Sequence, residues 1–266
     1  MSHHETSLKA QFYLTAPQPC AYLEGREERK VFTTLNGTSA IAVNDALSQK
    51  GFRRSQSVIY RPACVGCSAC LSIRVPVSSF APGKTQRRIL RRNAGLTRRP
   101  CEAWATETQF ALFRSYLADR HADGGMADMD AFDYASMVDE TPVNSMVVEY
   151  HDIDEESGDS KLVASCLSDI LGDGLSMVYS FFDPAYSDRS LGSYMILDHI
   201  EMAREMALEH VYLGYWVAGS RKMDYKIGFR PFELCDGSNW HRFDNREMFD
   251  DWQERRMTLI QDRLLG

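Results

Sequence analysis

Residues 161–184, "KLVASCLSDILGDGLSMVYSFFDP", indicate a β-hairpin in the second half of the chain. Both flanks are rich in apolar, β-branched and aromatic residues, and the central Gly-Asp-Gly (172–174) is typical of a hairpin turn. The second flank ends at Asp183-Pro184, because proline cannot donate a hydrogen bond to a neighbouring strand. We therefore predict two paired antiparallel strands here.

The segment after the hairpin predicts a long helix and a further strand. "LGSYMILDHIEMAREMALEH" (191–210) repeats one helical face at steps of three and four: Ile196, His199, Ile200, Ala203, Met206 and Ala207. "VYLGYWV" (211–217) is typical of a strand, and "SRKMDYKIGF" (220–229) predicts a short helix that ends at Gly228. Hairpin, helix, strand and helix in this order predict an α/β fold, with a sheet packed by helices.

The first part of the chain has a different pattern, which predicts a separate domain. "QFYLTA" (11–16) and "SVIYRPA" (57–63) are typical of short strands, and "KTQRRILRRN" (84–93) predicts a helix of about three turns. "NAGLTRRP" (93–100) shows no periodicity. We therefore predict a basic, cysteine-containing domain over residues 1–98 and a second domain over 99–266.

Charge is strongly segregated along the chain. No Asp or Glu occurs in 46–101, which holds twelve of the 30 basic residues, so the rest carries 18 basic against 37 acidic residues. This pattern is typical of polyanion binding, and a solvated basic face is the alternative. Five cations recur on one side of the predicted helix: Lys84, Arg87, Arg88, Arg91 and Arg92. Such a face can follow a phosphate backbone without reading its sequence.

Composition favours an ordinary globular protein, with 44% hydrophobic and 25% charged residues. No apolar run approaches the roughly 20 residues needed to cross a bilayer. The first 20 residues are polar, so we expect no secretory signal. The seven cysteines, an odd number, then predict reduced thiols in the cytoplasm rather than a disulfide framework.

Two short motifs resemble acyltransferases of the GNAT type. "DYKIGF" (224–229) is similar to their Tyr-x-x-x-Gly-Phe ending, with Tyr225 one position after the usual tyrosine. "RSLGSY" (189–194) stands before the long helix, where acyl-CoA enzymes hold a pyrophosphate on backbone N–H groups. Arg189 fits that pattern, but Tyr194 replaces a small residue and disfavours coenzyme A as the donor.

Longer stretches resemble the arginyl-tRNA–protein transferase family, and in detail its bacterial branch, the aspartate/glutamate leucyltransferases. They span about Gln11 to Trp240 and include "FYLTAPQPCAYLEGREERKVFTTL", "YRPACVGCSACLSIRV", "DRHADGGM", "VYSFFDPAYSDRSLGSYMILDHIEMAR" and "YLGYWVAGSRKMDYKIGFRPFEL". The resemblance implies a GNAT-like acyltransferase core preceded by a cysteine-containing N-terminal α+β domain. It also implies transfer of leucine from Leu-tRNA to proteins with N-terminal Asp or Glu, creating a degradation signal.

The implied chemistry is aminolysis of an ester that is already activated, so it requires no cofactor and no membrane or DNA partner. Tyr225, near the position of a GNAT tyrosine, is a candidate donor to the departing ribose oxygen, and Tyr179 and Ser180 lie on the strand expected to face the ester. Candidates for gripping the tRNA end or an acidic side chain are all cationic: Arg61, Arg74, Arg189, Lys222 and Lys226. Ordinary packing and surface roles are the alternatives.

"CVGCSAC" (64–70) places three cysteines at a spacing that can hold one metal ion or cluster. A fourth ligand is needed, and the position where a ferredoxin-type run would supply it is Arg74. Related transferases use cysteines near the N-terminus, and Cys20 matches one of these. We predict a site for zinc or an iron–sulfur cluster on Cys20, Cys64, Cys67 and Cys70, with reduced, unoccupied thiols as the alternative.

Two other functions are open from the sequence. An acyl-CoA-dependent N-acetyltransferase would bind coenzyme A tightly and would not need RNA. A noncatalytic RNA-binding module would account for the basic segment and the cysteines, but it would leave the GNAT-like half unexplained.

Overall fold

The computed structural model describes residues 10–120, 126, 128–154, 156–237 and 239–265, with the side chains after residue 256 excluded. The first elements in chain order are β1 (Tyr13–Leu14), β2 (Gln18–Pro19), β3 (Glu27–Glu28), β4 (Lys30–Thr34), α1 (Ala40–Ser48), β5 (Arg53–Ser55), β6 (Val58–Pro62), β7 (Cys70–Pro76), α2 (Lys84–Arg92) and β8 (Leu96–Glu102). They are followed by α3 (Glu107–Arg120), α4 (Ala131–Asp139), β9 (Ser145–Ile153), β10 (Ser160–Ile170), β11 (Gly174–Phe182), α5 (Leu191–Glu205), β12 (His210–Val217), β13 (Phe232–Cys235), β14 (Trp240–Phe243) and α6 (Arg246–Leu265). Short 3-10 helices cover Gly37–Ser39, Pro184–Arg189 and Arg221–Gly228.

An eight-stranded mixed sheet forms the centre of the molecule, in the order β14-β13-β7-β12-β11-β10-β9-β8. Strands β11 and β12 are parallel, and every other neighbouring pair is antiparallel. The hairpin predicted at 161–184 is confirmed, with β10 and β11 paired from Ala164 with Phe182 to Ile170 with Leu175. The helix predicted at 84–93 is confirmed as α2, and the one predicted at 191–210 is confirmed as α5 but ends at Glu205. Met206 and Ala207, predicted on its repeating face, lie beyond its end and are exposed, because Ala207 has a left-handed backbone with a φ of 55°.

Strand β7 belongs to the basic segment, yet it lies inside the large sheet between β12 and β13. The side chains of Leu71, Ile73 and Val75 are buried there. Strand β8 forms the far edge of the same sheet and runs across the predicted domain boundary at 98/99. The first 98 residues therefore contribute a central strand and part of an edge strand to the second half, and the two-domain division stays a prediction about folding units.

A four-stranded antiparallel sheet, β1-β4-β6-β5, is attached to the large sheet by a buried ion pair. The guanidinium of Arg54 on β5 contacts the carboxylate of Asp169 on β10 through two N–O distances of 2.6 Å, and both side chains are 1% exposed. The hydroxyl of Ser145 donates a further hydrogen bond to Asp169 at 2.7 Å. Because a buried charge is costly without a partner, this pair fixes β5 against β10.

Helix α5 covers one face of the large sheet with a buried face that includes Leu191, Met195 and Ile200. Helices α3 and α4 form a second core cluster, in which Phe113 and Tyr134 are almost fully buried. Within the described ranges, no helix is long and apolar enough to span a bilayer. Most of the "DRHADGGM" motif (119–126) lies outside the described residues.

Candidate active site

Strands β11 and β12 pair at only three positions, and the space between them beyond these positions is the candidate active site. The parallel pairs run from Gly174 with His210 to Ser176 with Tyr212. Strand β11 then continues to Phe182 and β12 continues to Val217 without further pairing to each other. We call the space between the two separated strand ends the cleft.

Arg53, the first residue of β5, extends into the cleft. Its guanidinium donates a hydrogen bond to the carbonyl of Val178 on β11. On the other side it lies against Gly214 of β12, where an added Cβ would overlap the guanidinium. Gly214 has a φ of 77°, which favours glycine, and the pairing of β12 with β7 shifts register at this point. The glycine thus leaves the room that Arg53 occupies.

Lys226 lies beside the cleft and is buried. Its ammonium donates to the backbone carbonyl of Tyr215 at 2.8 Å. Burial, with a further contribution from the charge of Arg53, lowers the pKa of Lys226 to about 7. Half of the side chain of neighbouring Tyr225 is exposed, and partial burial raises the pKa of its phenol. The lysine beside the cleft is therefore only partly charged near neutral pH, and the tyrosine next to it in the chain is half-exposed.

The other two predicted catalytic residues, Tyr179 and Ser180, lie on the separated end of β11. The Tyr179 ring packs against Phe113, and burial raises the pKa of its hydroxyl to about 12. Both side chains are partly exposed. Tyr179 and Ser180 thus lie at the separated end of β11, and Lys226 lies beside the separated end of β12. Because successive strand residues alternate, the side chains of Tyr179 and Ser180 point to opposite faces of the sheet.

Four further predicted cations lie at different places. Arg74 is held at the paired end of β12, with its guanidinium 2.7 Å from the Glu233 carboxylate and 4.1 Å from the centre of the Trp240 ring. Arg189, in the turn before α5, contacts Asp152 at 3.4 Å. Lys222 is exposed in the 3-10 helix that follows β12. The structure does not bring Arg74 to the cleft.

Arg61 lines a separate groove of about 380 Å³ next to the cysteines. Its guanidinium donates to the carbonyl of Gly237 at 3.2 Å and stacks on the Phe52 ring at 5.0 Å. Tyr215 also lines this groove, and its backbone carbonyl accepts the hydrogen bond from Lys226 beside the cleft.

Helix α2 places its basic face beside the cleft. The five predicted phosphate contacts are exposed: Lys84, Arg87, Arg88, Arg91 and Arg92. None of them forms an ion pair with a carboxylate of the described chain. Gln86 donates to the carbonyl of Gly228 at 3.1 Å, and Arg92 donates to the carbonyl of Asp188. The helix thus contacts both the segment that carries Tyr225 and the turn before α5.

The turn before α5 differs from our expectation at Tyr194. Its ring is buried and packs edge-on against Tyr150, with 5.6 Å between the ring centres. The expectation that its bulk obstructs the turn is therefore wrong. The first turn of the helix points the side chain inward, while Arg189 stays near the surface.

The four predicted cysteine ligands line one cavity of about 100 Å³: Cys20, Cys64, Cys67 and Cys70. Burial and the neighbouring thiols raise the pKa of Cys70 to about 12, which indicates that these sulfurs are close together. In the part of the chain that the structure describes, however, no group of three or more His, Cys, Asp or Glu side chains has the geometry to hold a metal ion. The donor types suit zinc or a cluster, but their arrangement does not form a ligand set, so no chemical step is assigned to a metal.

Sequence patterns did not single out Arg53 and Gly214 as site residues. Arg53 was one of twelve cations in the basic segment, and only the tertiary structure carries it to the cleft, 125 positions away from Val178. Gly214 interrupts an otherwise apolar strand, and a glycine inside a strand is a sign of close approach by another group. That signal could have located the cleft.

Comparisons with known proteins identify the family. Models described as "Arginine-tRNA-protein transferase, N terminus" and "C terminus" match residues 18–88 and 108–236. A protein of Cereibacter sphaeroides named aspartate/glutamate leucyltransferase is 58% identical over 237 residues, covering 89% of this chain and 85% of that protein. One of the same name from Paracoccus denitrificans is also 58% identical, covering 86% and 84%.

The crystal structure of FemX superposes with a TM-score of 0.50 at 9% identity, covering 82% of this chain and 71% of FemX. The predicted α/β, GNAT-like fold is thereby confirmed. The chain belongs to the arginine-tRNA–protein transferase family and, within that family of aminoacyltransferases, to the aspartate/glutamate leucyltransferases.

Proposed function

We propose that this chain transfers leucine from Leu-tRNA to the N-terminal Asp or Glu of proteins and so creates a degradation signal. The observation that carries the proposal is the position of α2, whose exposed basic face flanks the cleft between β11 and β12. A polyanionic carrier bound on that helix would present its esterified end to the cleft. Charged tRNA and reduced thiols are both cytoplasmic, so we propose that the reaction takes place there.

The proposed reaction is aminolysis of an ester. The neutral α-amine of the acceptor attacks the leucyl carbonyl, a C–N bond forms, and the C–O bond to the ribose breaks. The amine loses a proton and the ribose oxygen gains one. An α-amine has a pKa near 7.7–8.0, so part of it is already neutral at physiological pH, and alignment of amine and ester can supply about 7–11 kcal/mol.

Tyr225 is the proposed donor to the departing ribose oxygen. Its side chain is half-exposed and follows Asp224 next to Lys226, and with a pKa above the usual range its phenol is fully protonated at neutral pH and carries a proton to donate. Tyr179 and Ser180 are the proposed contacts of the ester on β11. A hydroxyl that points at the carbonyl oxygen would stabilise the tetrahedral intermediate.

The remaining cations divide by location. The α2 face and Arg189 are the proposed tRNA contacts, because they surround the turn before α5. Lys222 and Lys226 lie on either side of Tyr225 and are proposed to hold the tRNA end or the acceptor. Arg61 is proposed as an acceptor contact in its groove, whereas the guanidinium of Arg74 already faces a carboxylate of the protein.

The cysteine cavity is proposed to have a structural role rather than a chemical one. Cys20 belongs to the N-terminal loop, while Cys70 begins the central strand β7. Because these sulfurs form no ligand set among the described residues, we propose that Cys20, Cys64, Cys67 and Cys70 stay reduced thiols that pack between these two parts.

A labelling experiment tests the proposed function. The purified protein is mixed with radiolabelled Leu-tRNA, Arg-tRNA or acetyl-CoA and with peptides that begin with Asp, Glu or Lys. We expect label from Leu-tRNA on the Asp and Glu peptides only. Label from acetyl-CoA alone would replace the proposal with an N-acetyltransferase, and salt-sensitive tRNA binding without transfer would replace it with an RNA-binding module.

A further inference from the structure

Arg53 is half-buried in the cleft and, unlike Arg54, Arg74 and Arg98, forms no ion pair with a carboxylate of the described residues. Arg54 pairs with Asp169, and Arg74 pairs with Glu233. Arg98 pairs with two acids, Asp198 and Glu205. The only hydrogen bond that the structure gives to the guanidinium of Arg53 runs to a neutral backbone carbonyl. Charges removed from water are ordinarily paired, so this one calls for an anion from outside the chain.

A second cation reinforces this requirement. Lys226 is also buried, also bonds only to a backbone carbonyl, and is close enough to Arg53 for the two charges to repel. The surrounding side chains are aromatic hydroxyls rather than carboxylates, among them Tyr22, Tyr215 and Tyr225. Two neighbouring cations that form no ion pair with any carboxylate of the described residues are suited to bind an anion.

The position of the site selects the anion. An Asp or Glu side chain is only one or two methylene groups from the α-carbon whose amine must attack the ester. Its carboxylate must therefore bind inside the cleft, within a few ångströms of the reaction. The exposed basic face of α2 lies outside the cleft and offers cations to the phosphates of a tRNA, so the cations of the cleft are not needed for them.

We propose that Arg53 is the residue that recognises the side-chain carboxylate of the acceptor's N-terminal Asp or Glu, with Lys226 as the second cation of the site. The planar guanidinium presents paired N–H donors that match a carboxylate, and the buried pair Arg54–Asp169 on the next residue holds β5 in place for it. The inference rests on the proposed transfer to acidic N-termini and adds the residue that reads the acid.

Steady-state transfer by wild type, Arg53→Gln, Arg53→Lys and Arg242→Gln tests the assignment, with Leu-tRNA and peptides that begin with Asp or Asn. Arg242 is the matched control, since its guanidinium is exposed on β14 and pairs locally with Asp244. For Arg53→Gln we expect the KM of the Asp peptide to rise about 10- to 150-fold, the range for loss of a hydrogen bond to a charged group. The kcat and the KM of Leu-tRNA should stay within about twofold, and the preference for Asp over Asn should shrink by a similar factor.

Other outcomes would overturn the assignment. A fall in kcat at unchanged peptide KM would make Arg53 an oxyanion contact, and a rise confined to the KM of Leu-tRNA would make it a phosphate contact. Arg53→Lys keeps a cation and should show a smaller rise in peptide KM; it serves as the test if circular dichroism shows that Arg53→Gln does not fold. Absence of leucyl transfer by the wild type would refute the proposed function itself, whereas an active wild type with an unchanged Arg53→Gln would refute only this inference.

Discussion

Replacing Asp169 by asparagine should strongly destabilise the protein, because it leaves the Arg54 guanidinium buried without a counter-charge. The substitution preserves side-chain volume and removes one negative charge from a pair whose side chains are each 1% exposed. Both short N–O contacts, at 2.6 Å, lose their ionic character, and the acceptor for Ser145 at 2.7 Å is weakened. Breaking one side of a buried pair costs about 3–5 kcal/mol.

Urea unfolding monitored by circular dichroism measures this cost. A loss of about 3–5 kcal/mol in the free energy of unfolding corresponds to a fall in Tm of roughly 10 °C for a chain of this size. The matched control is Glu205→Gln, which removes one acid from the more exposed pair with Arg98. An exposed pair is worth about 0–1 kcal/mol, so this control should unfold near the wild-type midpoint.

A double variant separates the charge effect from the shape effect. Arg54→Met combined with Asp169→Leu removes both charges and should recover most of the stability, because the buried cation is gone. Transfer activity of Asp169→Asn should fall together with stability, since Arg53 is held by the same strand. Equal unfolding midpoints for Asp169→Asn and Glu205→Gln would refute the view that this ion pair joins the two sheets.

Three other predictions concern the RNA face, the buried lysine and the cysteines. Replacing Arg88 and Arg91 together by glutamine should weaken tRNA binding, because both cations can contact phosphates. In filter-binding assays, the slope of the logarithm of the tRNA association constant against the logarithm of the salt concentration should become shallower by about 1–2. An unchanged slope would exclude α2 from the RNA interface. Buried Lys226 loses its proton at about pH 7, whereas the lysine of the unfolded chain keeps its proton up to about pH 10. Between pH 7 and 9 the free energy of unfolding of the wild type should therefore rise by roughly 2 kcal/mol relative to Lys226→Met, measured by urea titration at each pH. Equal pH dependence of the two unfolding free energies would contradict the buried, deprotonating lysine. Purified protein should contain well under one equivalent of zinc or iron by elemental analysis and should keep its transfer activity, because the four cysteines form no ligand set among the described residues; one equivalent of metal that Cys67→Ser loses would contradict this.

Most of the local structure follows from the sequence because its causes are local. The period of the 191–210 segment, the Gly-Asp-Gly turn and the apolar, β-branched flanks of the hairpin are each determined by residues close in the chain. The basic face of α2 is equally local, since steps of three and four place its cations on one side of any helix. The two-residue spacing of Cys64, Cys67 and Cys70 likewise predicts that these three lie close together, and the family resemblance predicts that Cys20 lies with them.

The arrangement of the site depends on contacts between residues far apart in the chain. Periodicity cannot show that β7 enters the sheet between β12 and β13, because a buried strand has the same pattern wherever it pairs. It cannot distinguish Arg53 from its neighbour Arg54 either, although strand alternation sends one to the cleft and the other to Asp169. Residue types alone therefore determined the elements and the charge of this protein, whereas the tertiary structure decided which cation enters the cleft, because that depends on contacts between distant segments.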